Sequence, residues 1–383
     1  MSHPIIVIGS GFAAYQWVKS FRKLDQDTEI TIITADNGDD YSKPDLSHVF
    51  SRQQRATDLI KQSATEFAQA NSVKLITNTY VTAIDPQAKT VSIDDQVLTY
   101  SNLILATGSR AFVPPFAGNA TDEIITLNSL QEFEQAQERL ITAKRITVLG
   151  AGLIGTEIAM DLASSHKQVT LCDKAASILP AMLPPFLGSE VQHTMALNGV
   201  DFKLNRGISA INRHHQEMLV ELDNGEVISS DVVIAAMGLR SNTQLAQQAG
   251  LMVNHGIVVN QYMQTSDANI YALGDCAELY GRVRAFIQPT MLAAMALAKT
   301  LAGTATPVRL PASLVKAKTP WIPLNLAGKT VGSELTWEIQ RNSDGYVAKA
   351  FHVETSELSG FIVSHDQAKA AFPLLKLLPG EVA

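Results

Sequence analysis

The segment RITVLGAGLIGTEIAMDLASSHKQVTLCDK, residues 145–174, decides the fold. An apolar run leads into a glycine turn, a stretch with helical spacing follows, and a second apolar run ends on an acid: the opening of a βαβ unit. Gly150, Gly152 and Gly155 fill the GxGxxG positions. The first permits the tight turn, the second lets backbone approach a pyrophosphate, and the third allows close packing of helix on strand. Leu153 and Ile154 open the helix, whose free N–H groups and positive dipole end face the phosphates. Asp173 closes the next strand eighteen residues after Gly155. A carboxylate there accepts from a ribose 2′-hydroxyl and repels a 2′-phosphate, which selects NADH over NADPH; the neighbouring Lys174 softens that charge.

The same design stands at the start of the chain. PIIVIGSGFAAYQWVKSFRKL, residues 4–24, places Gly9, Gly11 and Ala14 at the motif positions, with Ser10, Phe12 and Ala13 completing the turn. Its second apolar run, EITIITAD, ends at Thr34, Ala35 and Asp36. These form the candidate ribose side of a second nucleotide, with the backbone of Thr34 and Ala35 sharing the work; an ordinary turn aspartate is the open alternative for Asp36. Two copies of one design mean two dinucleotide sites, not a solenoid. ATG at 106–108, with Thr107 and Gly108, and AMG at 236–238, with Gly238, read as the crossover strands of the two halves. In IYALGDCAE, residues 270–278, Gly274 and Asp275 form a turn whose carboxylate suits a ribityl hydroxyl. Gln288 and Pro289 precede a helix whose N-terminus would stabilise negative charge.

At 383 residues, 46% of them apolar, the chain has length for two or three packed domains. The expected class is α/β: two Rossmann-like dinucleotide-binding domains and a small α+β C-terminal domain. The expected bounds are 1–110 with 243–305 for a discontinuous first dinucleotide domain, 111–242 for the second and 306–383 for the last. A helix is expected over 58–69, short strands over 74–77 and 91–97, and a final helix over 367–378. A net charge of -7 opposes bulk nucleic-acid binding. Cys172 and Cys276 form no CxxC pair, no Cys/His metal spacing is present, and His214–His215 read as a polar turn. No apolar run reaches the ~18 residues of a membrane helix and no basic-then-apolar leader precedes Ile5. A soluble, cytoplasmic protein is therefore expected.

GSGFAA, TAD, YSKPDLSH, LATG with FVPP, LGAGLIGTEIAMDL, YALGDCAE and the late KTPWIPL together resemble the rubredoxin reductase group of FAD- and NAD-dependent pyridine nucleotide oxidoreductases, over nearly the whole length. The glycine motifs are shared by many flavoenzymes; KPDLSH and the KTP segment are more specific. The resemblance implies FAD on the first half and the Gly274–Asp275 turn, and NADH on the middle domain. It places Lys43, Val81, Ile287 and Lys318 at flavin contacts. It puts Glu157 at the junction of the two cofactors, where it would pair with Lys43; these two are the candidate catalytic residues.

YSKPDLSHVF, residues 41–50, holds no cysteine, although related flavoenzymes carry a redox thiol in this segment. Cys276 follows Asp275 but has no resolving partner, and it reads as a small packing residue, like Cys172. Electrons must then leave outward. The resemblance implies an acidic iron-carrying acceptor, a free rubredoxin or the rubredoxin domain of a flavorubredoxin in nitric oxide detoxification. Lys43, Arg110, Lys316, Lys318, Arg282 and Arg284 are the candidate docking cations. Competing readings are an NADH oxidase or diaphorase without a redox thiol, and a cofactor-binding scaffold that signals redox state. A monomer is expected.

Overall fold

The computed structural model describes residues 3–380. Ile5–Ile8 (β1), all four residues buried, runs through the glycine turn into the helix Phe12–Phe21 (α1) and back as Ile30–Ile33 (β2). Lys74–Ile76 (β3) and Asn102–Leu105 (β4) extend the sheet. The chain then crosses on a two-stranded antiparallel ribbon that pairs Ser109–Ala111 with Leu239–Ser241. Between those crossings lies the second βαβ design: Arg145–Leu149 (β5), the helix Leu153–Ser164 (α2), Gln168–Asp173 (β6), Val200–Leu204 (β7) and Val232–Ala235 (β8). The return strand Ile270–Ala272 (β9) completes the first sheet, in the order β9-β4-β1-β2-β3, all parallel. The inserted sheet runs β7-β6-β5-β8, also parallel. Strands buried on both faces read as continuous apolar runs, and both sheets fit that rule. Each half carries a three-stranded antiparallel side sheet, over 81–99 and 208–230.

The helix Ile287–Leu301 (α3) packs on α1, and its first turn includes Gln288 and Pro289 rather than following them. A proline in the first turn forfeits no helical hydrogen bond. Beyond it, Val315–Ala317 (β10), Leu324–Gly328 (β11), Leu335–Asn342 (β12), Gly345–His352 (β13) and Leu358–Ser364 (β14) form an antiparallel sheet in the order β10-β11-β14-β13-β12. The molecule therefore consists of two Rossmann-like units and a C-terminal α+β unit.

Two expected helices are shorter than the spacing implied. Over 58–69 the α-helix covers only Ala64–Asn71, because Ser63 and Glu66 close a reciprocal capping box at its start. The residues before it form a 3-10 turn, Ala56–Leu59, and a strand, Ile60–Gln62, paired with Asp40–Tyr41. Over 367–378 the α-helix is only Ala371–Leu375, preceded by the 3-10 turn His365–Ala370. Pro373 lacks the N–H that would extend an α-helix upstream.

One large apolar cluster holds the first sheet with α1 and α3. The second joins the inserted sheet and α2 to Leu46, Val49 and Phe50 and to Ala317, Ile322 and Leu324 of the C-terminal unit. Trp321 packs, half-buried, against the second cluster. The segment after β2 is thus anchored in the core of the other two units.

Candidate active site

Both glycine turns have the shape of a cradle. Gly9 and Gly150 sit at φ +109° and +105°, and a Cβ on either would lie 2.3 or 2.4 Å from the carbonyl oxygen of Ala106 or Ala236. A Cβ on Gly155 would lie 1.8 Å from the Gly150 oxygen, so α2 rests directly on its own turn. Gly11 and Gly152 differ: each caps its helix in extended conformation, and a Cβ there would meet nothing within 4 Å. That open space lies where a pyrophosphate would approach the helix N-terminus. Around it, Phe12 and Ile154 are 41% and 46% exposed, and Ile287, at the start of α3, is 49% exposed. Apolar side chains left open at three helix N-termini, beside two open backbone cradles, fit two bound dinucleotides. Leu153 and Val81 are half-buried, and Gly108 and Gly238 leave open space at the crossover. Thr107 and Gly108 are laced to Asn242 by three hydrogen bonds.

The strand-end acids are occupied within the chain. Asp36 Oδ1 accepts from Ser10 Oγ at 2.7 Å, Thr34 Oγ1 at 2.7 Å and the Gly38 amide at 2.9 Å, so it organises the first turn. Ala35 is exposed beside it. Asp173 accepts from the amides of Ala151 at 2.6 Å and Ala175 at 2.7 Å, which binds β6 to the second glycine turn. Gly274, at φ +74°, lies against α1 so closely that a Cβ would be 2.7 Å from the Ala13 Cβ. Ala14 is fully buried behind it. Asp275 Oδ2 accepts from Ser109 Oγ at 2.9 Å and lies 3.6 Å from Lys43 Nζ.

This last contact corrects one expectation. Lys43 pairs with Asp275, not with Glu157. The 3-10 turn Lys43–His48 directs Lys43 toward the Gly-Asp turn and Ser47 and His48 toward α2. Glu157 is 4% exposed. Its Oε2 accepts from Ser47 Oγ at 2.8 Å and lies 3.7 Å from His48 Nε2; its Oε1 accepts from the Lys318 amide at 2.8 Å. Lys318 Nζ donates to the Pro44 carbonyl and to Asp45, each at 3.2 Å. Burial pushes the Asp45 carboxyl up, but hydrogen bonds from Ser42 and Lys318 outweigh it and its pKa falls below the usual value. One turn along α2, Asp161 accepts from the Phe50 amide and from Ser51. Sequence reasoning missed Ser47, His48 and Asp161. Two buried acids spaced i, i+4 on an otherwise apolar helix were the signal.

Both thiols are buried. Cys276 Sγ donates to the carbonyls of Leu105 and Leu273, at 3.3 and 3.2 Å, and burial raises its pKa. Burial pushes the Cys172 thiol up to about 12. A protonated, inaccessible thiol is a poor nucleophile. Among the described residues, no group of three or more His, Cys, Asp or Glu could hold a metal ion, and no helix is long and apolar enough to cross a membrane. Of the candidate docking cations, Arg110, Lys316, Lys318 and Arg282 are exposed; Arg110 donates to Asn242, and Arg284 to the Leu279 carbonyl.

Residues 3–299 match the pyridine nucleotide-disulphide oxidoreductase family and residues 307–378 match the rubredoxin binding C-terminal domain. The chain is 48% identical over 379 residues, 99% of its length and all of the relative's, to the nitric oxide reductase FlRd-NAD(+) reductase of Escherichia coli O157:H7 strain EC4115. In fold it is similar to the ferredoxin reductase for the CYP199A2 system of Rhodopseudomonas palustris, with TM-score 0.89, 23% identity, and 99% and 96% of the two chains covered. It is likewise similar to the structure of the covalent putidaredoxin reductase–putidaredoxin complex, with TM-score 0.88, 25% identity, and 98% and 94% covered. Paired glycine cradles, a Gly-Asp turn and full-length likeness lead to one assignment: the chain belongs to the pyridine nucleotide-disulphide oxidoreductase family.

Proposed function

We propose that this chain carries electrons from NADH, through bound FAD, to a rubredoxin-type iron centre, and that the acceptor is the rubredoxin domain of a flavorubredoxin nitric oxide reductase. One observation carries the reading. The C-terminal unit, whose residues match a rubredoxin binding domain, reaches at Lys318 onto Glu157 and onto the Lys43–Asp45 segment. The acceptor-binding unit and both nucleotide units therefore meet at one seam.

When bound, FAD supplies the step from a two-electron donor to a one-electron acceptor. The chain supplies the rest. Residues 1–110 with 243–305 form the FAD unit, 111–242 the NAD unit and 306–383 the acceptor unit. Gly11 and Gly152 admit the pyrophosphates to the N-termini of α1 and α2, where backbone N–H groups and the helix dipoles take their charge. Thr34–Asp36 close the ribose side of FAD and Asp173 that of NADH. Asp275, steadied by Ser109 and Lys43, would hold the ribityl chain. Lys43 and Glu157 would orient the reacting groups, and Val81, Ile287 and Lys318 are the residues that would contact the flavin. With both thiols sealed in apolar surroundings, no sulfur stands between the flavin and the acceptor. The unpaired, buried cysteines also suit the reducing cytoplasm. A single copy of the chain contains every group named.

The test mixes NADH-reduced protein anaerobically with rubredoxin and, separately, with oxygen. Fast reduction of the iron with slow consumption of oxygen supports the proposal. Fast oxygen turnover with an idle rubredoxin refutes it in favour of an oxidase.

A further inference from the structure

Glu157 is the meeting point of three units. It stands in the second turn of α2, the helix that begins at the Gly150–Gly155 cradle. Ser47 holds it from the segment that follows the first nucleotide turn, and the Lys318 amide holds it from the C-terminal unit. One turn before Ser47, Lys43 reaches the Asp275 carboxylate of the Gly-Asp turn. A continuous set of contacts thus runs from one cofactor cradle to the other through a single 3-10 turn.

His48 sits inside this set. It is buried, and among the described residues its Nε2 has no hydrogen-bond partner, although Glu157 Oε2 is 3.7 Å away. Glu157 and Asp161 on α2, Lys318 on the C-terminal unit and Arg52 on its own segment are the charged groups that face it. Burial pushes its pKa below the usual value against the pull of the two acids, and Lys318 and Arg52 add to that lowering. At 3.7 Å the ring leaves the Glu157 carboxylate to Ser47 and the Lys318 amide.

We propose that Ser47 is a positioning residue: its hydroxyl fixes the Glu157 carboxylate beside the buried His48 ring and thereby sets the α2 cradle in register with the Lys43–Asp275 side of the site. This rests on the reading that NADH reduces bound FAD across that seam. Reacting groups held slightly out of place lose rate steeply, so the effect should fall on the limiting rate and not on nucleotide affinity.

The test uses the FAD-loaded protein and the variants Ser47→Ala, Ser47→Thr and Ser47→Val. Two quantities are read: the anaerobic rate of flavin bleaching against NADH concentration, and the change in the flavin spectrum on adding NAD+. Ser47→Ala should lower the limiting rate roughly tenfold or more, with half-saturating NADH within about threefold of wild type, and should shrink the spectral change. Ser47→Thr, which keeps the hydroxyl, should restore both. If Ser47→Ala does not fold, Ser47→Val, which matches threonine in size but lacks the hydroxyl, should show the same split. Wild-type rate and spectral change in Ser47→Ala would overturn the proposal. So would a loss confined to half-saturating NADH, or one that Ser47→Thr does not repair. If NADH fails to bleach even the wild-type protein, the functional reading falls, while the spectral change with NAD+ still reports on the register of the two cradles.

Discussion

Replacing Gly152 by alanine separates binding from folding at the second cradle. Gly152 lies at φ −72° and ψ −172°, extended backbone open to any residue, and a Cβ there would meet nothing within 4 Å among the described residues. Alanine is a poorer helix N-cap than glycine, at a cost below about 1 kcal/mol, and it stiffens the unfolded chain by a similar amount. The two nearly offset, so Tm should stay within about 3 °C of wild type. NADH meets the new methyl where its pyrophosphate must approach the backbone. Losing one charge-assisted hydrogen bond costs about 1.5–3 kcal/mol, which raises half-saturating NADH about 10- to 150-fold. Gly155→Ala is the contrast. Its Cβ would lie 1.8 Å from the Gly150 oxygen and 3.2 Å from the Ala236 Cβ, so α2 must move and stability should fall by about 1–3 kcal/mol or more. FAD content should be unchanged in Gly152→Ala, whereas Gly11→Ala should lose FAD. Paired thermal melts and NADH titrations check this. Wild-type NADH affinity in Gly152→Ala, or wild-type Tm in Gly155→Ala, would refute the reasoning.

Three further outcomes are expected. The kcat/KM for NADH should exceed that for NADPH at least tenfold, and Asp173→Asn should narrow the ratio; equal values in wild type would remove Asp173 from the ribose. The second-order rate of rubredoxin reduction should fall several-fold between about 0.05 and 0.5 M salt, because the Debye length shortens from roughly 14 to 4 Å, and a flat profile would rule out steering by Lys316, Arg282 and their neighbours. His48 has its folded pKa below 6.5, so the unfolded chain takes up the proton first. The stability this group contributes is present above about pH 6.5 and is lost as pH falls through the folded value. Denaturant midpoints should drop less for His48→Gln than for wild type between about pH 7.5 and pH 5.5; equal drops would place the proton elsewhere.

The nucleotide cradles were legible because their chemistry is local. A tight turn, an approaching phosphate and a packed helix each demand glycine at a fixed spacing, and Gly9, Gly150 and Gly155 meet those demands through clashes that any Cβ would cause. The packing role of Cys276 was legible from the lack of a resolving partner, and the structure buries it. Partners distant in sequence were not. Ser47 and Glu157 are 110 positions apart, and a serine beside a histidine in a polar segment carries no sign of a buried acid opposite. The Lys43–Glu157 pair failed for the same reason, since the 3-10 turn that aims Lys43 at Asp275 depends on Leu46, Val49 and Phe50 entering the second apolar core. The helix expected over 58–69 failed on a cap: Ser63 and Glu66 mark its start, but the apolar spacing upstream belongs to a short strand.

The most direct measurement uses a cysteine-free chain, Cys172→Ser with Cys276→Ser, reduced by NADH and mixed with rubredoxin. The account predicts that it retains FAD and reduces the iron centre within a few-fold of the wild-type rate. A cysteine-free chain that holds FAD and takes up the electrons of NADH, yet leaves rubredoxin oxidised, would contradict it.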